Sequence, residues 1–107
     1  MVEHASFSYH VVYSERQRSI IRALAARAVR RGLHKAYLEA IRDMEHHLRT
    51  DPLDWGDPQN RLANLQLLIY HRVQGPLHVH YAVDEQRRIV YLQKIKPMPN
   101  QGLDDVP

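Results

Sequence analysis

A chain of 107 residues, 25% charged and 44% apolar, fits one soluble domain and excludes a two-domain enzyme, because a domain takes about 100–200 residues. The absence of cysteine removes disulfides, thiolate nucleophiles, iron–sulfur clusters and cysteine-based zinc sites. The formal charge of +3 is mild for a dedicated polyanion binder. Residues 1–6 lack the basic and apolar regions of a secretory leader, and no apolar run reaches membrane length, so a cytoplasmic, unprocessed chain without membrane contact is expected.

Residues 7–13 alternate apolar Phe7, Tyr9, Val11 and Tyr13 with smaller or polar groups, which predicts a half-buried strand. Ser14 then fits an N-cap, with Gln17 placed for a capping box, and Ile20, Ile21, Leu24, Ala25 and Ala28 follow at helical spacing. A helix over 15–31 is predicted, ended by Gly32 as a left-handed C′ residue. Its arginines, Arg16, Arg18, Arg22, Arg27, Arg30 and Arg31, form either a solvated face or a contact for an acidic partner or RNA backbone. Leu33, Tyr37, Ile41, Met44 and Leu48 make the stripe of a second amphipathic helix, which Pro52 terminates by restricting the residue before it. Residues 51–60, with Pro52, Gly56, Pro58 and three aspartates, read as a surface loop that Trp55 is available to pin.

Three strands are predicted after the loop, over 65–73, 77–83 and 89–96, separated by Gly75-Pro76 and by the polar turn 84–87. The order is β-α-α-β-β-β: an α+β fold in which a helical hairpin covers one face of a small antiparallel sheet. Residues 1–97 form the domain, and the tail 98–107 has too few apolar residues to predict order.

On the strand 77–83, Leu77, Val79, Tyr81 and Val83 share one face and His78 and His80 the other, the two histidines ~7 Å apart at Cα. The apolar face belongs under the helices. Tyr70 and Arg72 share a face of the preceding strand, and Lys94 and Lys96 share one on the last. If all these pairs point away from the helices, the open face gathers a phenol, a guanidinium, two imidazoles and two ammonium groups. Such a set suits RNA transesterification, which needs a base for the 2′-hydroxyl, cations for the phosphorane and an acid for the leaving oxygen. The same face also suits simple solvation. A metal site using His78, His80 and either His71 or His10 is the rival use of the imidazoles, although His71 is expected to face away from Tyr70 and Arg72. His46 and His47 sit where positive charge suits a helix C-terminus.

The sequence resembles the RelE/ParE toxin superfamily of bacterial toxin–antitoxin modules over residues 7–97. The likeness rests on the strand running into a helical hairpin, the Asp-Pro-Leu and Gly-Asp-Pro segments between 51 and 58, and the hairpin from Tyr70 to Glu85 with its Val-His-Tyr-Ala-Val-Asp-Glu stretch. RelE-branch members are ribosome-dependent mRNA endonucleases that use no metal, whereas ParE-branch members inhibit DNA gyrase. The resemblance places the basic cluster of the RelE type on Leu68, Tyr70 and Arg72, of which Arg72 alone is charged. It places the third-strand arginine at His78 and the following basic residues near Lys94 and Lys96.

The resemblance therefore implies a toxin-type endoribonuclease without cofactor. His78 serves as base or acid, Arg72 and Lys96 contact phosphate, and Tyr70, His80 and Lys94 position or stack the substrate. The alternatives are a ParE-like protein-binding inhibitor and an orphan relative with neither activity. The implied partners are a cognate antitoxin, the ribosome with its mRNA, and a second copy of the chain as a homodimer.

Overall fold

The computed structural model describes residues 8–62 and 66–104, with backbone only at 60–62. The chain runs β1 (His10–Tyr13), α1 (Glu15–Arg30), α2 (His34–Thr50), α3 (Pro52–Trp55), β2 (Asp57–Leu62), β3 (Leu67–Gln74), β4 (Leu77–Asp84) and β5 (Ile89–Pro97). Phe7, expected to open the first strand, lies outside the described residues.

The helical hairpin forms where its punctuation predicts. Ser14 Oγ accepts from the Gln17 backbone N–H at 3.1 Å. The reciprocal arm of a capping box is not made, because the buried Gln17 side chain donates instead to the Gln93 carbonyl of β5 at 3.1 Å. At the other end Gly32 adopts φ +72, and the Leu33 N–H reaches the Ala28 carbonyl at 2.8 Å, closing a left-handed turn that glycine makes without a Cβ penalty. In α2, Tyr37, Ala40, Met44 and Leu48 are buried, and Tyr37 donates its hydroxyl to the Ile21 carbonyl of α1 at 2.8 Å.

The expected loop over 51–60 is instead α3 followed by a strand. Pro52 opens α3, the position where its missing N–H costs nothing. β2 is an edge strand, which tolerates Pro58, and its register shifts between Pro58 and Asn60. The sheet is five-stranded in the order β1-β5-β4-β3-β2. It is mixed rather than antiparallel: β2 to β5 form an antiparallel meander, and its three reversals bring β5 alongside β1 in the same direction.

Leu68 and Tyr70 of β3, Leu77, Val79, Tyr81 and Val83 of β4, and Val90, Leu92 and Ile95 of β5 join the helices in the core. Burial of a large aliphatic side chain stabilises by about 1.5–3 kcal/mol, so this layer dominates the fold's stability. The chain beyond β5 also packs. Leu103 is fully buried, and Arg27 and Arg31 of the first helical hairpin hold the Leu103, Gly102 and Asp104 carbonyls at 2.7, 2.8 and 2.6 Å. No helix among the described residues is long and apolar enough to cross a membrane.

Candidate functional site

The two-residue turn Gly75-Pro76 sets which side chains meet on the sheet. With Gly75 at φ +57, Gln74 pairs with Leu77, and the register continues through Val73 with His78, Arg72 with Val79, His71 with His80 and Tyr70 with Tyr81. Directly opposed residues of an antiparallel pair share a face. Val79 and Tyr81 are buried under the helices, so Arg72 and Tyr70 project to that side. His71, His78 and His80 share the open face. This corrects the expected placement of Tyr70 and Arg72, because the hairpin register ties their phase to the apolar side of β4.

The lysines reach the open face by a different device. Strict alternation from Val90 and Leu92 would turn Lys94 and Lys96 toward the core. The β4–β5 register shifts between His80 and Tyr81, leaving Gln93 as an extra residue, so Lys94 pairs with His80 and Lys96 with His78. The bulge therefore brings both ammonium groups beside the imidazoles, and its Gln93 carbonyl is the one that Gln17 reaches.

The three imidazoles are in mutual contact. His71 Nδ1 lies 3.1 Å from His78 Nε2, a hydrogen bond in which one ring donates and the other accepts. Ring centroids are 5.3 Å apart for His71 and His78, 6.0 Å for His71 and His80, and 4.4 Å for His78 and His80. His80 Nε2 is buried with no hydrogen-bond partner among the described residues. Burial, followed by the charges of His71, Lys96 and Lys94, holds the His78 pKa below the usual histidine value. His80 is lowered chiefly by burial and then by His78, His71 and both lysines. Both rings therefore favour the neutral form, whose free lone pair suits a base. Asp57 of β2 pairs with His71 and adds a carboxylate to the same face.

Tyr70 and Arg72 belong to a separate cluster at the helix side. Tyr70 stacks on Tyr81 at 5.4 Å. The Tyr81 hydroxyl accepts from the Gly56 N–H at 2.9 Å and donates to the Pro52 carbonyl at 2.6 Å. Burial is the main cause of a strongly raised Tyr81 pKa. Arg72 donates to the Trp55 carbonyl at 2.8 Å and lies 5.6 Å from the centre of the Trp55 ring. His47 also stacks on Trp55, with ring centroids 5.6 Å apart, and pairs with Asp51 at 2.8 Å. These contacts pin the β2 entry to the helical layer.

Of the residues expected to form one site, the structure thus brings together His78, His80, Lys94 and Lys96, and separates Tyr70 and Arg72 from them. His71, expected to face away from Tyr70 and Arg72 and considered only as a rival metal ligand, joins His78 and His80. No group of three or more His, Asp or Glu side chains among the described residues is placed to hold a metal ion. Comparison with protein-family models, curated proteins and solved structures gave no match. The molecule is an α+β domain with a helical layer on one face of a mixed sheet and an imidazole–ammonium cluster on the other.

Proposed function

We propose that the chain is a RelE-like endoribonuclease, the toxin of a toxin–antitoxin module, which cuts mRNA on its open sheet face without a metal. The observation that carries this reading is the His71–His78–His80 cluster flanked by Lys94 and Lys96. One ring of the hydrogen-bonded His71–His78 pair takes the proton of a ribose 2′-hydroxyl while that oxygen bonds to phosphorus. The P–O5′ bond breaks, and the pair returns a proton to the leaving 5′-oxygen. The products are a 2′,3′-cyclic phosphate and a free 5′-hydroxyl. Lys94 and Lys96 offset the charge that builds on the phosphorane, and His80 packs against His78 to orient it.

A second reading, a ParE-like module that inhibits by binding a protein, is favoured by Arg72. Its attachment to the Trp55 carbonyl removes from the open face the one charge that the resemblance carries onto β3.

Induction of the protein in cells with mapping of mRNA 5′ ends separates the readings. The endoribonuclease is expected to arrest growth and leave new 5′-hydroxyl ends. Purified protein is tested on RNA with and without ribosomes, and any cutting of ribosome-free RNA is expected to be unchanged by EDTA. Removing a general acid–base group costs about 10²–10⁴ in rate, so His78→Ala is expected to fall by that factor. Growth arrest without cuts supports the binding module instead, and neither arrest nor cuts overturns both.

A further inference from the structure

The open face changes character along its strands. One pair beyond His80 and Lys94, Ala82 stands between Ile69 of β3 and Tyr91 of β5, and one pair further Asp84 faces Ile89. Ala82 is fully buried, and Tyr91 beside it is half-buried. A cavity of about 260 Å³ opens there, lined by Leu67, Asp84, Arg87 and Tyr91. Successive same-face residues of a strand are ~7 Å apart, which places the Tyr91 ring within reach of the base belonging to a nucleotide whose phosphate rests on the lysines.

We propose that this cavity is a nucleobase subsite in which an unpaired guanine stacks on Tyr91 and is read by Asp84. The inference rests on the RNA reading of the imidazole–ammonium face and adds its base preference. Aromatic side chains on an exposed sheet bind single-stranded bases through their π-faces, which gives affinity with little selectivity. Selectivity comes from the carboxylate. Asp84, which lines the cavity, is largely buried; its Oδ1 accepts from the Arg87 backbone N–H at 3.1 Å, while Oδ2 stands 3.5 Å from the guanidinium of Arg87, whose side chain is exposed. Each carboxylate oxygen has a second acceptor site, and the base takes the place of the Arg87 guanidinium, whose ion pair with Asp84 is long and solvent-screened. Guanine alone among the four bases offers two adjacent donors, N1–H and the 2-amino group, to such a pair of oxygens.

Fluorescence anisotropy with labelled oligouridine carrying one central guanine, inosine or adenine tests this. The wild-type protein is expected to bind the guanine oligomer several-fold more tightly than the other two. Tyr91→Ala is expected to weaken all three by about 5- to 150-fold, the range for loss of one base–aromatic stack, and Tyr91→Phe to restore them. Asp84→Asn keeps the acceptor for the Arg87 N–H and is expected to abolish the preference for guanine over inosine. Equal binding of the three oligomers, with Tyr91→Ala unaffected, overturns the subsite. If His78-dependent cutting persists in that case, the endoribonuclease reading stands without it, whereas failure to bind any RNA overturns both.

Discussion

Replacing Arg72 by alanine distinguishes a residue that builds the fold from one that serves the open face. The guanidinium donates to the Trp55 carbonyl at 2.8 Å and lies 5.6 Å from the Trp55 ring centre. A hydrogen bond from a charged donor contributes about 1.5–3 kcal/mol, and an exposed cation–π contact about 0.5–1 kcal/mol. Arg72 is itself exposed, so water screens and partly replaces both interactions, and a net loss of about 1–2 kcal/mol is expected. With a urea slope of about 1–2 kcal/mol per molar for a chain of this size, the unfolding midpoint falls by about 1 M. Equilibrium urea unfolding followed by Trp55 fluorescence measures this directly, since the sole tryptophan sits at the perturbed contact. Cutting of RNA under native conditions is expected to stay within about threefold of wild type, far from the factor expected at an acid–base group. A variant of undiminished stability that has lost cleavage would refute the placement of Arg72 in the helical layer's support and return it to the chemistry.

Leu103→Ala deletes a fully buried side chain and is expected to cost about 2–5 kcal/mol, the range for large-to-small core substitutions. Thermal unfolding checks it, and a loss below 1 kcal/mol would show that the segment after β5 is not part of the core. Stability is also expected to depend on pH through His78 and His80. Their folded pKa values lie below the ordinary histidine value of 6.5, so between that value and the folded ones the unfolded chain binds more protons. Stability is therefore fully present above pH 6.5 and declines as the pH falls through the folded values. Urea midpoints measured from pH 7.5 down to pH 5 are expected to fall, and His80→Gln to flatten the fall; a midpoint that rises on acidification contradicts the burial of these rings. At the alkaline end Tyr37, pushed up to about 12 by burial, makes stability decline as the pH rises above 10.

Helices α1 and α2 were legible in the sequence because three independent signals agree there: the Ser14 cap, the Gly32 stop and a continuous apolar stripe. β2 was not, since Asp57 and Pro58 are poor strand formers and the edge position that excuses them is a tertiary fact. The capping box failed for a related reason. Gln17 has a local partner available in the Ser14 segment, but the β5 bulge presents an unpaired carbonyl to it, and a buried amide gains more from that bond than an exposed one gains from the local contact. Leu103, flanked by Gly102 and Asp104 in a mostly polar tail, belongs to no periodic pattern.

The site was legible only in part because alternation states which residues share a face, not which face that is. β4 resolves itself, since its apolar and histidine positions separate cleanly. β3 does not: Leu67, Leu68, Ile69 and Tyr70 run apolar on both faces, so its phase must come from outside the strand. The Gly75-Pro76 turn supplies it, because a two-residue connection that pairs Gln74 with Leu77 obliges His71 to oppose His80 and sends Arg72 to the core side. That information is present in the sequence, but as turn length rather than as hydropathy. The bulge at Gln93 is the opposite case. Nothing in the β5 residues marks it, yet without it Lys94 and Lys96 would follow Leu92 into the helical layer, and a single extra residue decides whether the imidazoles have cationic neighbours.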